Sequence, residues 1–174
     1  MSRRSYEDSR CALLSLPLIA TGDNPSLPPP PLPPDDGAPG VSLFGILLAE
    51  AKLEHLTLPR TFISRSEIRG TSFRDTDLTG STANWNDFID VNFSAADLSG
   101  SDLRACVFER VRFVGASLVG VDFRYCGFKK CDFTDADVTD MKLTTKLGSV
   151  LRLSPEQQSV IDWQADDGEE PAGG

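Results

Sequence analysis

The chain is predicted to fold as an all-β solenoid, a backbone wound into stacked square coils of twenty residues each. Three observations predict it. From Leu48 to Leu143 every fifth residue is apolar. Nine Phe fall in that window, and eight of them occupy this one phase. Positions twenty apart then repeat one residue type, as in Phe73, Phe93, Phe113, Phe133 and in Leu78, Leu98, Leu118, Val138. A helix would set residues five apart about 140° round its axis, and a straight strand would send them to opposite faces. A period of five instead needs a chain that turns a corner every fifth residue, so that four short sides close a square.

Each side must then point one large and one small side chain inward. The positions two before the large ones are indeed mostly small: Thr71, Ser81, Ala96, Ser101, Cys106, Ala116, Cys126, Ala136. Gly80, Gly100 and Gly120 recur at one corner, where a residue without Cβ turns most easily. Each coil packs only on its neighbours, so the terminal coils need lids.

Three of these units, Ala96-Asp97-Leu98-Ser99-Gly100, Ser101-Asp102-Leu103-Arg104-Ala105 and Ala136-Asp137-Val138-Thr139-Asp140, resemble the A-(D/N)-L-x-x motif of the pentapeptide-repeat family. The resemblance covers about 100 of 174 residues and implies a right-handed quadrilateral β-helix. It implies little about function, because one scaffold hosts many roles. The departures are Ala83 as a small centre, Asn86 at an inward small position, and the bulky Leu56 and Met141.

In chain order, residues 1–45 are expected to be a disordered tail. Nine of the twelve Pro precede residue 40, and the run Pro25 to Pro34 reads as a polyproline II linker. A groove-binding PxxP ligand is the alternative, without a nearby Arg or Lys to orient it. Cys11 to Ala20 looks superficially like a secretory signal, but Glu7, Asp8 and Pro17 spoil it, so a cytoplasmic protein is expected. Residues 46–145 should form about five coils, a rod of roughly 24 Å at ~4.8 Å per coil. Leu43 to Ala51 could alternatively be an apolar helix across the open end. Residues 146–165 should form the C-terminal cap. There Ser154-Pro155-Glu156-Gln157 starts a short helix, and Val160, Ile161 and Trp163 pack on the last coil or join two copies as a homodimer. Residues 166–174 read as a disordered acidic tail.

Composition excludes several function classes. The net charge is −9, from 17 Lys+Arg against 26 Asp+Glu, which argues against direct nucleic-acid binding. No apolar run reaches the roughly 18 residues of a membrane span. His55 is the single His and has no companion for a triad or metal cluster. The Asp at 77, 97, 102, 122, 132 and 137 sit just before centres, as a repeating polar slot rather than paired catalytic carboxylates. Cys106 and Cys126 fall one coil apart. They read as buried fillers, with a redox pair as the alternative. No cofactor, metal or catalytic residue is expected, and the chain is read as a non-enzyme.

What remains is surface. One edge gathers Trp85, Ile89, Val107 and Tyr125 beside Arg104 and Arg124, the composition of a protein-docking patch. The bland alternative is a local irregularity at Asn84 to Asn86 that tucks Trp85 against its own coil. A second edge gathers Asp75, Asp77, Asp97, Asp135 and Asp137. The resemblance implies a DNA-mimic role toward DNA gyrase there. However, residues 46–145 carry 12 Lys+Arg and 15 Asp+Glu, so little of the negative charge lies on the rod. The expected function is therefore a scaffold that docks a partner protein, for example an immunity protein occupying a toxin or effector. A gyrase modulator and a structural adaptor are the alternatives.

Overall fold

The computed structural model describes residues 2–16, 19–20 and 40–165; the Pro-rich linker and the acidic tail expected from the sequence lie outside them. The elements, in chain order, are helix α1 (Tyr6–Leu14) and strands β1 (Ile19–Ala20), β2 (Ser42–Phe44), β3 (Ile46–Ala49), β4 (Phe62–Ser64), β5 (Glu67–Arg69), β6 (Asp87–Ile89), β7 (Val107–Glu109), β8 (Gly127–Lys129) and β9 (Lys142–Thr144). A 3-10 turn (Thr145–Ser149), helix α2 (Pro155–Ser159) and strand β10 (Asp162–Gln164) complete the chain.

Parallel pairing at an offset of twenty runs through the molecule. Leu48 faces Ile68, Ile68 faces Phe88, Phe88 faces Phe108, and Phe108 faces Phe128. The other sides stack through single bridges at the same offset, such as Asp77 to Asp97 and Asn92 to Arg112. The result is a parallel β-solenoid of about six turns, from Val41 to Gln164.

The five-residue period has a simple backbone cause. From residue 45 to residue 140, every fifth residue takes a positive φ, between 51° and 68°. One left-handed residue per side turns the corner. Only six of these corners are glycine; Trp85, Asp90, Arg110 and Tyr125 adopt the same angle despite a Cβ that disfavours it. Ladder hydrogen bonds over-determine the corner, so glycine is a convenience there rather than a requirement.

The interior is as the period demands. Phe73, Phe93, Phe113 and Phe133 form one stacked column and Phe88, Phe108 and Phe128 another, with ring centroids 4.9 to 5.5 Å apart. Each buried ring contributes on the order of 2–3 kcal/mol. The small inward column is polar in places, yet every buried side-chain polar atom among the described residues is satisfied. Ser81 Oγ accepts from Thr61 N–H (3.0 Å), and Ser101 Oγ accepts from Ser81 N–H (3.1 Å) and donates to Leu78 C=O (3.0 Å). Asn86 fits the same slot, donating to Ile63 C=O and accepting from Ser66 N–H, both at 2.8 Å.

Both ends depart from expectation. Residues 1–45 are not only a tail: the first coil begins at Val41, and Leu43 to Ala49 form strands rather than a capping helix. The lid is α1. Its Leu13 is buried, Ser9 Oγ accepts from Thr57 N–H (2.8 Å), and Arg4 N–H donates to His55 C=O (2.7 Å). The bare apolar ring of the first coil supplies the driving force. β1 pairs antiparallel with β3 and covers that sheet edge. At the other end the capping box at Ser154 and Gln157 forms as expected, and Gln157 Nε2 donates to Phe133 and Ala136 C=O at 2.9 and 3.0 Å. Ile161 is buried and Trp163 half-buried, but Trp163 stands on β10, not on a helix. Val160 is exposed; its carbonyl, not its side chain, meets the coil, accepting from Asp140 N–H at 2.8 Å.

Candidate functional site

Seven large apolar side chains are exposed among the described residues. Three belong to the lids: Leu14, Val150 and Val160. The four on the coils are Phe44 (44% exposed), Trp85 (64%), Val107 (48%) and Tyr125 (58%). Trp85 and Tyr125 occupy one corner column two coils apart. Phe44 lies in the column just before that corner, and Val107 in the column just after it. Coil stacking lines them up along one edge over roughly 20 Å, four steps of ~4.8 Å.

The coil register is unbroken here. Trp85 N–H donates to Arg104 C=O (3.1 Å), and Asn84 and Asn86 hold the ladder on either side. A left-handed corner residue has its Cα–Cβ bond directed away from the core, so exposure of Trp85 and Tyr125 follows from the fold. The irregularity that would tuck Trp85 inward is absent.

The strip is edged by guanidinium groups fixed in place. Arg104 binds Asp102 through Nε (2.9 Å) and Nη2 (2.8 Å), and Arg124 binds Asp122 in the same way at 2.9 and 2.7 Å. Burial works against the charge on Asp122, yet the Arg124 hydrogen bonds hold its carboxyl below the ordinary carboxylate value. The structure thus brings Trp85, Arg104, Val107, Arg124 and Tyr125 together along one edge. Ile89 is half-buried and stands at the far end of β6, stacked with Glu109 and Lys129, so it belongs to another column. Phe44 lies in the segment that the sequence reads as a tail; its position one after the inward Leu43 is the signal that places it on this edge.

The acidic edge is organised differently. Asp77, Asp97 and Asp137 each accept from the backbone N–H two residues on, and from its hydroxyl: Thr79, Ser99 and Thr139. Asp102, Asp122 and Asp132 close the same turn. The repeated carboxylates are thus turn caps. Asp75 receives Arg3 and His55, with His55 Nδ1 2.7 Å from its Oδ2, and the His55 hydrogen bond holds the Asp75 carboxyl below its ordinary value. Ala95 and Gly115 interrupt the corner column between Asp75 and Asp135.

The cysteines are chemically quiet. Cys106 Sγ and Cys126 Sγ donate to Ala83 and Leu103 C=O, both at 3.0 Å, and all four cysteines are free. Burial pushes the Cys126 thiol up to about 12 and raises Cys106 as well, which suppresses the reactive thiolate at neutral pH. Among the described residues no three His, Cys, Asp or Glu side chains group as metal ligands, and no helix is long and apolar enough to cross a membrane.

Residues 87–124 match the family of pentapeptide repeats, in eight copies. No curated protein matches the chain in sequence. Among solved structures, it is similar to HetL of the cyanobacterium Nostoc, a pentapeptide repeat protein involved in heterocyst differentiation regulation, at 18% identity and a TM-score of 0.56. That match covers 57% of this chain and 48% of HetL, so the chain spans about half the length of that relative. A pentapeptide repeat protein of the Arabidopsis thaliana thylakoid lumen matches at 22% identity and a TM-score of 0.34, over 64% of this chain and 71% of that one. QnrB1, a plasmid-mediated fluoroquinolone resistance protein, matches at 14% and 0.31, over 72% and 75%.

Proposed function

We propose that this pentapeptide-repeat β-helix is a non-catalytic scaffold that docks a partner protein on the strip from Phe44 to Tyr125. The observation that carries the proposal is the confinement of every exposed large apolar side chain of the coils to that one edge. Single exposed apolar residues are ordinary; four aligned ones flanked by Arg have the composition of interface anchors. The rigid ladder beneath them supports this role, because anchors held in place lose little freedom on binding.

A protein toxin or effector, neutralised by occupation, is the partner class we favour. Mimicry of DNA toward a topoisomerase would draw on the acidic edge instead. There Ala95 and Gly115 break the charge column, and three of its carboxylates are engaged in closing turns.

The test is capture of partners from the source cell by the wild-type chain and by Trp85→Ala/Tyr125→Ala, with Asp77→Asn/Asp137→Asn as control. The proposal expects a protein retained by wild type and control and lost by the corner variant. Equal capture by all three would overturn it. Rescue of DNA gyrase supercoiling from a fluoroquinolone, abolished by the acidic-edge variant alone, would establish the topoisomerase reading in its place.

A further inference from the structure

The C-terminal lid leaves part of the last regular coil uncovered. From Val41 to Leu143, Phe128 and Cys131 are the two inward-pointing positions that are not buried. They are neighbours across one corner. In the coils beneath, a centre amide donates to the carbonyl nineteen residues on, as Phe93 does to Arg112 and Phe113 to Asp132, both at 2.7 Å. Corner amides do the same, Arg110 N–H to Lys129 C=O at 2.8 Å. The amides of Phe128, Lys130 and Phe133 have no such acceptor among the described residues. The chain that should supply it winds into the 3-10 turn Thr145–Ser149 and runs on to Leu153 without a strand.

β8 is consequently an open edge strand of the six-stranded sheet, whose other edge strand is β1. A groove of about 650 Å³ opens beside it, floored by Phe128, Phe133 and Leu151, with Lys130 and Arg152 along its rim. Both cations are exposed and have no ion pair among the described residues. Asp132 also lines the groove, but its carboxylate is held by Thr134 N–H and Oγ1 at 3.0 and 2.6 Å.

We propose that this edge accepts an extended acidic segment of a partner protein, added to β8 as a further strand. An unpaired strand edge offers main-chain donors and acceptors that only another backbone satisfies in register. Alternate residues of an added strand point to opposite sides. One set would enter the groove over Phe128 and so is apolar; the other would pass Lys130 and Arg152 and so is acidic. A small apolar acid could meet one cation and the floor, but would leave the Phe128 and Lys130 amides unpaired. The proposal uses no residue of the Phe44–Tyr125 strip, so each can fail without the other.

The experiment measures binding of a fluorescent octapeptide of alternating Val and Glu to the full chain, against the same peptide with Lys for Glu and one N-methylated at alternate residues. Expected are at least tenfold weaker binding of the Lys peptide and of the methylated peptide. Lys130→Glu/Arg152→Glu should weaken the Glu peptide by a similar factor. Amide exchange at Phe128 and Lys130 should slow in the complex. Equal binding of the Lys and Glu peptides, indifference to N-methylation, or no binding at millimolar peptide would each overturn the proposal.

Discussion

The corner that carries Trp85 and Tyr125 and the corner that carries Asp75 and Asp135 share one backbone, with φ of 59° and 63° in the first and 53° and 56° in the second. Asp75 and the Trp85–Tyr125 pair have opposite fates, while Asp135 is exposed. Asp75 is held by Arg3 and His55, and the Asp residues flanking it close turns, so those carboxylates serve the fold. Trp85 and Tyr125 leave most of their surface in water, at 64% and 58% exposure. In a solenoid every corner is equally available, and what distinguishes a working face is which side chains the fold itself does not use.

The largest effect should come from destroying both corners at once. Phe113→Asp buries a charge in the middle of a ring column, with Phe93 and Phe133 stacked on either side, and should abolish cooperative folding by circular dichroism. A folded variant would contradict the ladder. Next, Trp85→Ala with Tyr125→Ala should weaken partner binding by roughly 3–5 kcal/mol, at least a hundredfold by calorimetry, while leaving the melting temperature nearly unchanged. The opposite edge should give the mirror result. Asp97→Ala removes the Ser99 turn cap and should lower stability by ~1 kcal/mol in denaturant titration, with partner affinity intact.

The smallest effect is the share of the acid dependence that Asp75 contributes at the acidic edge. The Asp75 carboxyl is held below its ordinary 3.8 in the folded chain, chiefly by the His55 hydrogen bond. A depressed folded value means a stabilisation complete above 3.8 and lost as pH falls through the folded value. Melting curves between pH 5 and 2.5 should therefore show a small extra loss in the wild type that Asp75→Asn lacks. A shared pH profile would show that the Arg3 and His55 contacts add nothing.

How much of this was legible in the sequence depends on whether the signal was local. The ring columns declare themselves because Phe73, Phe93, Phe113 and Phe133 recur at a fixed spacing, and the same register places Trp85, Val107 and Tyr125 outside. The N-terminal lid does not. Ser9 is buried with its hydroxyl accepting from Thr57 N–H, forty-eight residues away, and Leu13 stands beside an exposed Leu14 in a helix without a pronounced apolar face. Deleting the first forty residues looks harmless in the sequence; with Leu13 under the first coil it is expected to be costly. Ile89 is hard to place because a centre's two outward flanks read alike in sequence but stand at opposite ends of one short strand, each nearer a different corner. The open edge at β8 was also readable in principle: the period fails at Gly148, where a large centre should cover Phe128.

The central claim, that one edge of the rod is its docking face, is tested most directly by site-specific photo-crosslinking. A benzophenone side chain placed at position 85 and, in a separate protein, at position 135 samples two corners of the same backbone. Crosslinking of the partner from position 85 and none from position 135 is the predicted result. Partner recovered from position 135 and none from position 85 would contradict the account.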